Sequence, residues 1–487
     1  MSMRSARWVV VVAMAWAVAD LHAQFDAFGE RIYPERLQED VELLRTTLHE
    51  AHADPYRSIA KAALDRVIDN VLRSVRTPMN AAEFADVLQP VVNAIGDAHT
   101  RIRLPDAMEE RIRHEAPLLP LSVRVLEGEL YVAEELKGFR SIPSGSLVIS
   151  INGRSGGSIV DSLMQFTVSD GANRVFRERM LEKDLPYLLY RHIDRSNAFQ
   201  IAYRAPSGKV ETKQIFALTG EETTASFRPA EETMQPWHAR HYAEHHTTWL
   251  TLGSFHTDSL LNAGIRPERF VEEMRRDLRQ NRARVLVVDV RGASGSELAI
   301  AELVHSIYAL KPYRVVQDML VRRTAPPTHY AYCDPLDEFY SSIETNYPST
   351  SSDEHSLRPD DDRLERLEPD EGAFDGKVYV VADGATCEAA ASVVMMAKRH
   401  GRGSTVGEEV GTNAISACGG RVLRLHAPNS KLVFEVPLVR YVFDGSPKGP
   451  SDHGDLPDHQ IGPNPRALAS GKDAVKEALL EMIMELQ

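Results

Sequence analysis

Val378-Tyr-Val-Val-Ala-Asp-Gly-Ala-Thr-Cys-Glu-Ala-Ala-Ala-Ser392 is the stretch on which the reading of this chain turns. An apolar, β-branched run stops at Asp383-Gly384, and alanine-rich helical spacing begins about where Thr386 is placed to cap it. The pattern predicts a strand, a sharp turn and a helix. A turn of this kind points the free backbone N–H groups of the helix's first turn toward developing negative charge, and a nucleophile would sit there. The same pattern also describes an ordinary buried βα unit, so the rest of the chain has to decide between them.

Upstream, Val285-Leu-Val-Val-Asp-Val290 is an apolar run carrying one charge near its end, the mark of a central parallel strand. It runs into Arg291-Gly-Ala-Ser-Gly-Ser296, a Gly/Ser-rich turn whose backbone N–H groups are candidate oxyanion donors. Helices are expected over Ile265 to Leu278 and from Ser296 through Ile307. Near the front of the chain, a helix from Ala81 to Ile95 ends in Gly96-Asp97-Ala-His99-Thr100, followed by a short strand over Arg101 to Leu104. A histidine on such a loop can turn its imidazole into a cleft and titrate near neutrality. The alternative is a ring satisfied by Asp97 or a backbone carbonyl.

The 487 residues are too many for one ordinary core and imply two or three domains. Composition is ordinary, with 43% hydrophobic and 26% charged residues, and the net charge of −14 carries no concentrated basic block. Nucleic acid is thereby excluded as an expected partner. Arg4 and Arg7, the apolar run Trp8 to Ala19 and Leu21-His-Ala23 form a leader with cleavage after Ala23, which predicts export to a periplasmic or extracellular compartment. That run is shorter than the roughly 20 residues a span requires, so no stable membrane span is expected. Three cysteines, Cys333, Cys387 and Cys418, leave room for one disulfide in an exported chain. None has CxxC spacing, and neither a metal nor a cofactor is expected.

Residues 24–115 show helical periodicity and are expected to form a helical cap, with Leu37, Val41, Leu44 and Leu48 on one stripe. Residues 116–220 turn to β texture, with Ile142 through Asn152-Gly153 as a strand entering a tight turn and a helix over Ile159 to Phe166. Residues 221–247 are polar, and despite His241, His245 and His246 they are expected to be a solvated linker. Residues 248–487 hold the core, interrupted over 311–375 by a loop-heavy acidic flap. A hairpin is expected over Arg421–Leu425 and Lys431–Pro437, and a terminal helix over Gly471 to Leu486.

Taken in order, Asp97-Ala-His-Thr100, Ile142 to Gly153, Leu286-Val-Val-Asp-Val-Arg-Gly292 with Gly295, Thr386 to Ala391, Val406-Gly-Glu408 and Leu456-Pro-Asp458 resemble the tail-specific, or C-terminal-processing, serine peptidase family. That family includes the tricorn core and the retinoid-binding-protein-like domains, and the resemblance covers nearly the whole mature chain. It implies an α+β multidomain fold: a helical cap, a PDZ-like module and a crotonase-like ββα-spiral core. It also implies a polypeptide substrate, with PDZ-like modules binding extended peptides by strand addition. Carried over position by position, it implies His99 as the base and an oxyanion hole from Gly292, Gly295, Ser296 and the amide of Ala389. Asp97 and Glu408 would support the site. The nucleophile position falls on Glu388, where the family has serine. Gly411 and Thr412 occupy the region where some members carry a catalytic lysine.

Three readings follow from that substitution. The chain is a hydrolase using His99 with Cys387 or a nearby serine as nucleophile, the thiol being activated by the helix N-terminus and the histidine. Or it is a pseudopeptidase that binds polypeptide without cutting it. Or Glu388 and His99 carry out acid-base chemistry on a non-peptide substrate.

Overall fold

Apolar stripes fix the first helices, and capping chemistry fixes their ends. A computed structural model describes residues 29–138, 140–226, 236–348, 354–445 and 452–485; the expected leader lies outside the described residues. Helix α1 (Pro34–Ala51) buries Leu37, Val41, Leu44 and Leu48. Helix α2 (Lys61–Ser74) packs on α3 (Ala81–Ile95), where Asn80 and Glu83 form a complete capping box. Pro90 lies inside α3, and Gly96 ends the helix in the left-handed region at φ 65°. Strand β1 (Arg101–Arg103) and helix α4 (Asp106–Glu115) follow. These helices share one apolar cluster with Leu423, Leu425, Phe434 and Val436 of the C-terminal half. That shared core holds the loop at His99 against residues more than 300 positions away.

The second unit is a β module: β2 (Leu121–Leu126), β3 (Glu129–Glu135), β4 (Leu147–Ile151), β5 (Arg154–Ser155), α5 (Gly156–Leu163), α6 (Arg174–His192), β6 (Ala198–Arg204), β7 (Val210–Phe216) and α7 (Gly220–Ser226). Its strands run in the order β2-β3-β4-β6-β7, with β5 beside β4. The expected helix over Ile159–Phe166 is α5 followed by a 3-10 turn at Met164–Phe166. The 19-residue α6 lies within the stretch expected to be β. Its buried face carries Glu178, Arg179 and Glu182 besides its leucines, which blurs the apolar period, while Asn173 caps it by accepting from Phe176 N at 2.9 Å. Those buried charges act on the outer edge of β2. Glu182 Oε1 accepts from Val125 N at 2.6 Å, and Arg179 Nη2 donates to Val125 O at 3.1 Å. At Val125 the outer edge of β2 is occupied by the chain's own helix.

The third unit comprises β8 (Trp237–Tyr242), β9 (Thr247–Leu252), α8 (Thr257–Asn262), α9 (Pro267–Gln280), β10 (Val285–Asp289), α10 (Leu298–His305), β11 (Val316–Val321), α11 (Asp337–Asn346), β12 (His355–Ser356), β13 (Lys377–Ala382), α12 (Ala389–Arg399), β14 (Ser404–Gly407), β15 (Ser416–His426), β16 (Val433–Phe443), β17 (His459–Gln460), α13 (Pro465–Ser470) and α14 (Ala474–Met484). One sheet runs β17-β14-β13-β10-β9-β8, parallel except at β8. All five residues of β10 are buried, as a strand covered on both faces requires. A second sheet joins β1, β16, β11 and β12, with β15 paired to β16.

Two expectations are corrected here. Residues 237–242 of the expected linker form strand β8, because Trp237 is buried and its indole N–H donates to Ser254 O at 2.8 Å. Within the expected flap, β11 is an internal strand whose Met319, Leu320 and Val321 are buried, and α11 sinks Ile343 into the core.

Candidate active site

The quoted stretch folds as β13, a tight turn and α12, and the turn is held by its own polar side chains. Asp383 Oδ1 accepts from Gly292 N at 2.8 Å, Ala385 N at 3.1 Å and Thr386 Oγ1 at 3.1 Å. The single Thr386 hydroxyl proton is shared with Val290 O at 2.9 Å, so Thr386 ties the turn to the residue that follows β10 and does not cap the helix. The helix starts two residues later than that reading places it, with Glu388 as N-cap residue at φ 57°, ψ −131° and no side-chain cap. This is a conformation that a non-glycine residue holds at a cost of about 1–3 kcal/mol. Neighbouring bonds over-determine it. Cys387 N donates to Ala293 O at 3.1 Å, Glu388 N to Thr412 Oγ1 at 2.6 Å and Ala389 N to Gly295 O at 2.8 Å.

The outcome is that residue 388 projects its side chain out of the turn toward the cap. Glu388 Oε1 lies 3.1 Å from His99 Nε2, and Oε2 accepts from Gly295 N at 2.9 Å. The two side chains are 21% (His99) and 29% (Glu388) exposed, so they meet in a cleft that solvent reaches. Gly295 is required at its position: a Cβ there would sit 2.2 Å from the carbonyl carbon of Phe255.

Of the expected oxyanion donors, only Gly295 reaches the residue 388 side chain. The amide of Gly292 is spent on Asp383 and that of Ala389 on Gly295 O. Ser296 points its hydroxyl toward Glu297 at 3.4 Å and lines a neighbouring cavity of about 420 Å³. Phe339, Tyr347, Arg421 and Tyr441 also line that cavity. Glu408 braces the turn from behind, accepting from Gly384 N at 3.1 Å and lying 3.6 Å from Arg179 Nε.

His99 is placed by Asp97, whose Oδ1 accepts from the backbone N–H groups of His99 at 2.8 Å and Thr100 at 3.0 Å. Its ring lies over the backbone of Gly419, where a Cβ would approach to 3.6 Å. Behind it sits a charge cluster that the sequence did not announce. Arg57 Nη2 is 3.8 Å from Asp97 Oδ2 and 3.5 Å from Asp170 Oδ1, and Arg57 also donates to Ser416 O and Gly96 O at 2.8 and 3.0 Å. Asp97, His99 and Asp170 hold ligand atoms within 4.8 Å of one another. The Arg57 guanidinium already supplies the positive charge beside both carboxylates, and a metal ion would have to share that space with it.

The electrostatics divide these groups. Burial pushes the His99 imidazole down, but the hydrogen bond to Glu388 and the charges of Asp97 and Asp170 outweigh it, so His99 lies above its ordinary value. Glu388 is held below the usual carboxylate value chiefly by its hydrogen bond from His99. Asp97 is brought down to about 2: burial raises it, and the charges of His52, His99 and Arg57 more than reverse that. Cys387 departs from the expectation of an activated thiol. Burial and then the Glu388 carboxylate push it up to about 12. Cys333, Cys387 and Cys418 are all free, so the one disulfide for which the three cysteines leave room is not formed.

Residues 249–460 match the model of peptidase family S41. No curated protein matches the chain in sequence. Among solved structures, mature CPAF superposes with a TM-score of 0.67 at 12% identity, covering 92% of this chain and 96% of that one. Mature CPAF complexed with lactacystin gives a TM-score of 0.69 at 12% identity, covering 93% and 98%. At that identity the likeness is one of fold: a mixed α/β, multidomain architecture shared along almost the full length of both chains. The strand-turn-helix at residues 378–399 lies inside the matched segment, so it is residues 249–460 that are identified with peptidase family S41, the tail-specific proteases.

Proposed function

We propose that this chain is an exported pseudopeptidase: it holds an extended polypeptide in the S41-type cleft and does not hydrolyse it. One observation carries the reading. The Glu388 carboxylate spans the base and the oxyanion donor, with one oxygen 3.1 Å from His99 Nε2 and the other 2.9 Å from Gly295 N. A carboxylate so placed imitates a cleaved product lying in its own site. It occupies the donor that would stabilise a tetrahedral oxyanion, and its contact with Nε2 covers the nitrogen that would take a proton from a nucleophile.

The remaining readings are less well supported. Cys387 at about 12 is a neutral, buried thiol over the working pH range. Acid-base chemistry by Glu388 and His99 needs a reactive atom free to meet a substrate, and here Oε1 and Nε2 are taken up by one another and Oε2 by Gly295 N. The cavity of about 420 Å³ beside Ser296, floored by Tyr347 and Tyr441, falls in the size range of small-ligand pockets and is suited to a side chain of the held polypeptide. The PDZ-like module and crotonase-like core implied by the resemblance belong to this proposal, as does export through the leader.

Purified mature chain is expected to bind unfolded casein and leave it intact, while Glu388→Ser cleaves it and the double variant Glu388→Ser/His99→Ala does not. Cleavage of casein by the unmodified chain, abolished by His99→Ala, would overturn the proposal. So would an absence of polypeptide binding.

A further inference from the structure

The β module has two outer edges, and they differ. At Val125 the β2 edge is closed by Glu182 and Arg179 of α6. The other edge is β7, where among the described residues no strand pairs with the outer side of residues 210–216; just past it, Leu218 is bridged to Leu118 by hydrogen bonds of 2.8 and 3.1 Å, which bounds the open stretch at Phe216.

Which backbone groups β7 offers follows from its pairing with β6. The register joins residues whose numbers sum to 414, from Ala198↔Phe216 to Arg204↔Val210. Ala205 N donates to Lys209 O and Ala217 N to Asn197 O, each at 2.9 Å, so the hydrogen-bonded pairs take odd-numbered residues of β7. Val210, Thr212, Gln214 and Phe216 therefore direct their N–H and C=O groups outward. The side chains along this edge are open as well, with Val210 57% and Phe216 71% exposed.

An edge presented in this way takes another strand. A second copy of β7 meets it antiparallel, and the outward groups restrict how the copies align. Only registers that pair even with even residues bring both sets of outward groups together. Centred on residue 211, the register stacks Glu211 on Glu211 of the second copy. Centred on residue 213, it stacks Lys213 on Lys213. Centred on Thr212, it sets Glu211 against Lys213 twice, Thr212 against Thr212, and Phe216 against Gly208. Opposite charges and paired threonines are favourable cross-strand neighbours, and like charges directly opposed are not. Gly208 has nothing within 4 Å of its would-be Cβ, which leaves room for an aromatic ring to cover it. In the single chain Glu211 rests on Lys209 at 2.5 Å and on the Tyr203 hydroxyl at 2.9 Å.

From this self-complementarity we infer that β7 is a homodimer surface, through which two copies of this chain join their β modules into one continuous sheet across a two-fold axis at Thr212.

Sedimentation velocity of the mature chain over a concentration series tests the inference. The expected result is a concentration-dependent dimer. Lys213→Glu should raise its dissociation constant about tenfold or more, and Glu211→Lys/Lys213→Glu should restore it, since the swap recreates both opposite pairs. Thr212→Cys in a Cys333→Ser background should form an intermolecular disulfide under mild oxidation, since hydrogen-bonded antiparallel pairs place Cα atoms about 5.5 Å apart. A far-ultraviolet circular dichroism spectrum matching the unmodified chain confirms that each variant is folded. A monomer at every concentration would overturn the inference. So would a dimer that is indifferent to Lys213→Glu and gives no Thr212→Cys crosslink.

Discussion

Replacing Glu388 with glutamine keeps the length of the side chain and an oxygen for the Gly295 N–H, but removes the negative charge 3.1 Å from His99 Nε2. Both partners are less than one-third exposed, so solvent screens the pair incompletely, and a hydrogen bond between charged groups contributes about 1.5–3 kcal/mol. The dependence on pH follows from the direction of each shift. His99 lies above its ordinary 6.5, so its contribution is complete below pH 6.5 and is lost as pH rises through the raised value. Glu388 lies below its ordinary 4.5, so its contribution is present above pH 4.5 and is lost as pH falls through the lowered value. The pair thus stabilises most between pH 4.5 and 6.5. In urea unfolding at about pH 5.5, Glu388→Gln is expected to lose about 1.5–3 kcal/mol, and at about pH 9 less than half of that. Histidine titration by NMR should show His99 moving down toward its ordinary value once the Glu388 charge is gone. Equal destabilisation at both pH values, or an unmoved His99 titration, would refute the ion-pair account of the site.

Two further outcomes test the surroundings of that pair. Arg57→Met leaves the buried carboxylates of Asp97 and Asp170 without their cation, and thermal unfolding at neutral pH should show a loss of about 3–5 kcal/mol; a loss under about 1 kcal/mol would mean the guanidinium does not compensate them. With Cys387 at about 12 against an ordinary 9, iodoacetamide at pH 8 should alkylate it about a thousandfold more slowly than a free thiol; mass-spectrometric labelling at the free-thiol rate would revive it as a nucleophile.

What the sequence made legible were features encoded locally. The apolar run ending at Asp383-Gly384 is β13, the Val285–Asp289 run is a buried parallel strand, and Asn80 with Glu83 starts α3. The meeting of His99 with residue 388 was reached through the order of motifs along the chain, since neither segment encodes the other. What stayed hidden depends on distant partners. Helix α6 turns charged residues inward because β2 receives them, so its stripe does not read as apolar. Trp237 sits in a polar segment and becomes the buried end of a strand only once β9 lies beside it. Thr386 has the composition of a cap, but Val290 O takes its hydroxyl and the helix begins at Ala389. Arg57 and Asp170 stand alone in their loops, and their charges acquire a role only where the cap, the β module and the core converge on Gly96 and Ser416.

Glu182 and Arg179 also bear on how far assembly can go. A sheet with two vacant margins can add copies without end and grow into a filament. Here one margin is stopped at Val125 by side chains of the same protein, which leaves the sheet a valence of one. Any association through β7 therefore ends at a pair, and the helix that closes the far side acts as its terminator.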